Sequence, residues 1–289
     1  MEFKHISIMP QEVIDSFSSL KPQSTIIDGT LGKGGHSKLL IEKGFKIIGI
    51  DRDKEAIEEA QRNLKGEITF VNDNFANIDK ILAKLETKQV SGILLDLGVS
   101  TYQLENKERG FGFSGKLDMR MSSEGQTAAD IVNSYSQEKL EKTFKIGGEK
   151  VYFKEIAENI IKQREKKKIE IGEELLEIIT QSMPEQYRRT RKHHFASPTF
   201  RALRIEVNKD LENLSLFLDK FQSCLEKDGI LSIITFHTIE ERIVKNKFQE
   251  LKGKKLVKIL TKHGMPASKQ EINKNPKAIH AKLWILRKK

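Results

Sequence analysis

The sequence predicts an α/β fold, a largely parallel sheet of seven strands whose chain is interrupted by a helical insert. Three observations carry this reading. The first hundred residues alternate short apolar runs with amphipathic helical stretches, the rhythm of a parallel sheet covered on both faces. That rhythm stops near residue 105 and returns near 206. The last two apolar runs have no helix of usable length between them, so the sheet should close with an antiparallel hairpin.

The strands follow in order. Runs at 25–28, 46–51, 67–72 and 92–97 are apolar and rich in β-branched residues. Between them, Ala56, Ile57, Ala60 and Leu64 share one helical face, and Ile78, Ile81, Leu82 and Leu85 another. Residues 106–126 mix glycine with charged and aromatic residues and read as a long ordered loop. Residues 137–182 are charged and helical, with apolar faces at Val151, Ile156, Ile160, Ile161 and at Leu175, Leu176, Ile178, Ile179. Then Val207, Leu211, Leu214, Leu218, Phe221 and Leu225 step as one long helix, with Asp228-Gly229 as its end. Ile230–Phe236 is a buried strand, Thr238 and Glu241 a possible capping box, and 256–260 and 282–286 the closing pair. The expected division is a core of 1–105 with 206–289 and an inserted domain of 106–205.

Composition narrows the functional classes. The chain has 289 residues, long enough to bury its own core without staples. It has one cysteine, Cys224, so no internal disulfide forms, which fits a reducing cytosol. The first residues carry acids and no apolar core, unlike a signal peptide, and no apolar run reaches the roughly 18 residues of a spanning helix. A cytoplasmic protein is expected, with no membrane association. The net charge of +10 favours a polyanionic partner.

The most informative stretch is Asp28-Gly29-Thr30-Leu31-Gly32-Lys33-Gly34-Gly35-His36, directly after Thr25-Ile26-Ile27. A strand that ends in an acid and a glycine cluster suits a loop wrapped closely around a nucleotide-like ligand. Gly34-Gly35-His36 lacks the lysine and hydroxyl of a P-loop, and Ser37 replaces the last glycine of a dinucleotide fingerprint. An S-adenosylmethionine (SAM) loop remains, against a nicotinamide dinucleotide site or a structural turn. Asp51, at the end of the second strand, suits a carboxylate that receives ribose hydroxyls. The closing hairpin favours SAM.

Asp28, Asp51 and Asp96 all fall at carboxyl ends of strands, the edge where open α/β sheets bind ligands. Asp96 could draw on an amino group's N–H to localise its lone pair, or could only bind ligand. The segment Arg109–Phe113 with Leu117–Met121 suits contact with an unpaired base, through stacking of Phe111 and Phe113, or an ordered loop with aromatics in the core. Asp118 and Arg120 are harder to explain as packing. Arg188, Arg189, Arg191, Lys192, Arg201 and Arg204 lie in a stretch without an acid and form a candidate phosphate-binding surface. His193 and His194 belong to that surface rather than to a metal site, and no metal is expected. His237 could reach the site or cap a helix.

Together these motifs resemble the 16S ribosomal RNA (cytosine-N4)-methyltransferases, the RsmH or MraW family. The resemblance rests on residues 28–37 (DGTLGKGGHS), 50–53 (IDRD), 92–100 (GILLDLGVS), 109–113 with 117–121 (RGFGF, LDMRM), 200–208 (FRALRIEVN) and 235–245 (TFHTIEERIVK). It implies a Rossmann-like class I SAM-dependent methyltransferase core with a helical substrate-recognition insert. It implies methylation of a cytosine N4 in the decoding region of 16S rRNA, within the small ribosomal subunit. By motif, SAM contacts would be Gly34, Gly35, His36, Asp51, Phe75, Asp96 and Gln103, with Asp96 and Asp118 as catalytic candidates. The chain would act as a monomer or homodimer. Where the family has Ser-Ser-Pro-Gln, this chain has Ser100-Thr101-Tyr102-Gln103. The competing readings are a DNA or other nucleic-acid amino-methyltransferase on the same core, and a non-enzymatic rRNA-binding assembly factor. The similarity extends to mitochondrial members of the family.

Overall fold

The computed structural model describes residues 7–100, 103–104, 106–191 and 193–289. Two compact units emerge, one running to Gly98 and resuming at Leu211, the other spanning Val99–Asp210.

The first unit is built on a mixed sheet. Its strands are β1 (Thr25–Asp28), β2 (Lys46–Asp51), β3 (Ile68–Asn72), β4 (Val90–Asp96), β5 (Leu225–Thr235), β6 (Val257–Ile259), β7 (Met265–Pro266) and β8 (Lys282–Lys288). The order across the sheet is β3-β2-β1-β4-β5-β8-β6, with β7 also paired to β8. Strands β1 to β5 pair in parallel, and β8 runs antiparallel to β5 and β6. The expected α/β class and antiparallel close are therefore present. The eighth strand, β7, has two residues, too few to leave a period in the sequence.

Successive strand residues point to opposite faces, and both faces are covered. Ile27, Ile48, Ile93, Leu95, Leu231 and Ile233 meet α4 (Ile78–Lys84), α11 (Asp210–Cys224) and α12 (Thr238–Gly253) through Ile81, Phe217, Phe221 and Phe248. Ile26, Ile47, Leu94, Ile230 and Ile234 meet α1 (Pro10–Ser16) and α2 (Gly35–Glu42) through Val13 and Leu40. Burial on both faces explains why these strands read as continuous apolar runs. The helix α3 (Lys54–Asn63) starts at Asp53, whose side chain accepts the Glu55 N–H.

The second unit holds α5 (Ala128–Ser134), α6 (Gln137–Ile146), α7 (Phe153–Arg164), α8 (Gly172–Gln181), α9 (Glu185–Arg189) and α10 (Ser197–Asn208). They surround a core of Leu140, Phe144, Ile156, Ile160, Leu175, Ile179 and Leu203. The loop before α5 is part of this unit. Asn208 pins it, donating to Met119 O (2.7 Å) and accepting from Met121 N (2.9 Å).

Three expectations are corrected. The long helix expected from Val207 onward is two helices, because Lys209 takes a left-handed conformation (φ +51°) between α10 and α11. That break needs no glycine, so the apolar periodicity passes over it. Helix α11 ends at Cys224, and Asp228-Gly229 lies inside β5, where pairing with β4 jumps from Leu225 to Ile230. The cap of α12 is His237 with Glu240, not Thr238 with Glu241. His237 Nδ1 accepts the Glu240 N–H, and Glu240 accepts the Phe236 N–H. Glu241 is paired with Lys282 instead.

Candidate functional site

The carboxyl edge of β1, β2 and β4 gathers the candidate residues of the first unit. The glycine loop after β1 is strapped across the neighbouring strand ends. Gly29 N donates to Leu94 O of β4 and Leu31 N to Ile50 O of β2, both at 2.9 Å. A Cβ on Gly29 would stand 2.5 Å from Leu95 Cδ2 and 3.2 Å from Phe75 Cβ. Gly34 has φ +81°, and a Cβ there would lie 2.5 Å from Leu64. Both glycines are therefore required by close approach, and at Gly34 by backbone conformation as well.

Each acid at this edge is used differently. Asp28 is buried and accepts the Ser37 hydroxyl (2.7 Å) and the Thr30 N–H (3.3 Å). Burial pushes its carboxyl above the usual range. Asp51 accepts the Gly32 N–H through Oδ2 and the Asp53 N–H through Oδ1, each at 2.8 Å. Desolvation raises its carboxyl to about 6 despite these bonds. Each carboxylate oxygen can accept more than one donor, so Asp51 still has capacity for ligand hydroxyls.

Asp96 closes β4. Its N–H donates to the Thr30 hydroxyl at 2.6 Å, which fixes the strand end against the glycine loop. Its Oδ2 lies 3.5 Å from His36 Nε2. Among the described residues its Oδ1 is buried without a hydrogen-bond partner, as are both ring nitrogens of His36. Burial alone would lower the His36 pKa, but Asp96, followed by Asp28, outweighs it and raises it. A buried acceptor left without a donor is costly, and this one suits a ligand N–H. Phe75 opens the short 3-10 turn Phe75–Asn77 beside Gly29 and meets Phe217 edge-on (5.8 Å between ring centroids). Gly34, Gly35, His36, Asp51, Phe75 and Asp96 thus belong to one unit and one edge. The glycine loop, the acids and the buried unpartnered oxygen fit a nucleoside-bearing cofactor.

Gln103 is described within the second unit. It forms a reciprocal pair with Ser100, whose N–H donates to Gln103 Oε1 (3.0 Å) while the Ser100 hydroxyl accepts the Gln103 N–H (3.2 Å).

Asp118 is held by Arg120, with Nε to Oδ1 and Nη2 to Oδ2 both at 2.8 Å. Burial opposes its ionisation, yet Arg120 holds the carboxyl below the usual range. Arg120 also donates to Ser123 O (2.8 Å), so the pair shapes its own loop. Phe111 is buried in the core of the second unit, and Phe113 stacks on His194 (4.3 Å) and meets Phe200 edge-on. Phe111 is therefore closed to base stacking, and one face of Phe113 is taken by His194. His194 is one of an aromatic group, and His237 takes its capping role.

The basic run divides. Arg189 and Arg191 are exposed and Arg188 partly so. Arg188 lies over the Phe195 ring, Arg191 over Tyr187, and Arg189 pairs with Glu185 at the surface. Arg201 donates to Gly147 O (3.0 Å), and Arg204, largely buried, pairs with Asp210 (3.2 Å). Arg201 and Arg204 thus each spend part of the guanidinium on a contact within the fold. Lys192 lies outside the described residues. No described helix is long and apolar enough to cross a membrane.

The strand order, the antiparallel close and this loop-lined edge define a Rossmann-like core of the class I methyltransferase type. The MraW methylase family matches residues 2–289. A protein of Clostridium botulinum (strain Loch Maree / Type A3) named ribosomal RNA small subunit methyltransferase H is 43% identical, with 100% of each chain covered. A protein of the same name from Sulfurihydrogenibium sp. (strain YO3AOP1) is 41% identical over 99% of each. Among solved structures, a Streptococcus mutans protein described as a methyltransferase, in complex with SAH, is 15% identical. The match covers 98% of this chain and 100% of that one, with a TM-score of 0.46. The chain belongs to the MraW methylase family.

Proposed function

We propose that this protein uses SAM to methylate the N4 amino group of a cytosine in the decoding region of small-subunit (16S) rRNA, in the cytoplasm. The observation that carries the reading is the buried, unpartnered Oδ1 of Asp96 at the edge that also holds the glycine loop and Asp51. The names of the full-length relatives support rRNA as substrate.

The residues divide the work. SAM supplies an electrophilic methyl group. Asp51 receives the ribose hydroxyls, Gly34 and Gly35 let the backbone approach the ligand, and Phe75 offers an aromatic wall. An exocyclic amine on a cytosine is a weak nucleophile, because its lone pair is delocalised into the ring. Asp96 Oδ1 accepts one N–H, returns electron density to the nitrogen, and takes up the proton that the nitrogen sheds. His36 Nε2 faces the other carboxylate oxygen, Asp96 Oδ2, at 3.5 Å. Positioning of this kind supplies much of the rate in a displacement reaction. Asp118 orders its loop through Arg120, so the chemistry is assigned to Asp96. Gln103 is kept as a cofactor contact on the resemblance. Arg188, Arg189 and Arg191 supply phosphate contacts.

The test uses labelled SAM with small ribosomal subunits from cells that lack the enzyme. Label at N4 of a cytosine is expected. Absence of label from rRNA, or label in duplex DNA only, contradicts the reading.

A further inference from the structure

The motif at 235–245 contains two cations, Arg242 and Lys245, that the site at Asp96 does not use. Both are exposed on α12. They line a groove of about 370 Å³ in the first unit, together with Glu241, His263, Lys282 and the edge of Trp284. The one acid there is already engaged, Glu241 with Lys282 at 2.6 Å. The Trp284 ring is fixed as a floor, its N–H donating to the Thr235 hydroxyl (3.0 Å). What is left is a concave surface whose excess positive charge is carried by Arg242 and Lys245, since Lys282 is paired with Glu241.

The sheet register locates this groove. Asp96 of β4 pairs with Ile234 of β5, and the next β5 residue, Thr235, pairs with Lys282 of β8. Lys282 therefore lies at the same carboxyl edge as Asp96, two strands away. At a strand spacing of about 4.8 Å that is roughly 10 Å sideways. A polynucleotide whose base reaches Asp96 has its flanking phosphates within that range.

We propose that the Arg242–Lys245–Lys282 groove is a phosphate-backbone contact for the RNA strand that flanks the target base. This rests on the reading of RNA as substrate. Exposed lysine and arginine on one helix face suit phosphates, which are read without regard to sequence.

The experiment uses the full chain and the charge-reversed pair R242E/K245E, with the neutral pair R242Q/K245Q as a second variant. Thermal melting and SAM affinity are measured first, and neither should move. Affinity for a 16S fragment spanning the target should then fall at least tenfold for R242E/K245E. The slope of log affinity against log salt should shrink by about 0.7 for each lost phosphate contact. KM for small subunits should rise with kcat within about twofold. Unchanged RNA affinity and salt slope overturn the groove. So does lost binding to assembled subunits with unchanged binding to naked RNA, which would point to a protein partner. A wild-type protein that methylates no rRNA defeats the proposed function instead, and RNA affinity still judges the groove.

Discussion

His36 Nε2 lies 3.5 Å from Asp96 Oδ2, an imidazole from the glycine-loop helix facing a carboxylate from the neighbouring strand end. Both groups are largely enclosed, and the pair raises the His36 pKa against the effect of burial. A raised folded value means this pairing stabilises the protein fully below the ordinary histidine pKa of about 6.5 and is lost as pH rises through the folded value. His36→Gln should remove that part of the pH dependence, seen as a flatter urea midpoint between pH 6 and 9. It should also lower kcat by up to about a hundredfold through misorientation of Asp96.

Asp96→Asn leaves a neutral, weaker acceptor that cannot take up the proton shed by the amine. Turnover should fall by a factor of about 10² to 10⁴, the usual range for a lost general base. SAM affinity, measured by calorimetry, should change far less than turnover. Near-wild-type turnover would remove Asp96 from the chemistry.

Asp51 titrates near 6 in the folded protein. Ribose hydroxyls donate to its ionised form, so SAM affinity should be flat above pH 7. Below about 6 it should weaken, approaching tenfold per pH unit as one proton is taken up. Asp51→Asn should bind weakly at every pH and show no such slope. Titrations at fixed ionic strength check both.

Gly34 combines a left-handed backbone with a side chain 2.5 Å from where a Cβ would sit. Gly34→Ala should destabilise the first unit by about 2–4 kcal/mol, adding backbone strain to overpacking. Urea unfolding measures this.

Asn208 holds the loop at Met119 and Met121 with both ends of its amide. Asn208→Leu should cost about 2–4 kcal/mol, because it leaves buried backbone groups without partners. The melting temperature of the variant checks it.

Much of the fold was legible because parallel strands buried on both faces leave unbroken apolar runs. The acids closing β1, β2 and β4 were legible for the same reason, since each ends such a run. The break at Lys209 was not, because a lysine in the left-handed region carries no glycine signal. The fates of Arg201 and Arg204 were hidden too. A count of charges records cations but not Gly147 O or Asp210 beside them. The pairing of His36 with Asp96 depends on two strands lying side by side, which no local pattern encodes. Phe111 shows the converse: an aromatic spaced to suit base stacking is drawn into the core of the second unit.

The most direct measurement is the nucleoside content of 16S rRNA from a strain lacking this gene, complemented with wild type or Asp96→Asn. Mass spectrometry should find N4-methylation of one decoding-region cytosine lost in the deletion strain, restored by wild type and not by Asp96→Asn. An unchanged cytosine in the deletion strain, or full restoration by Asp96→Asn, would contradict this account.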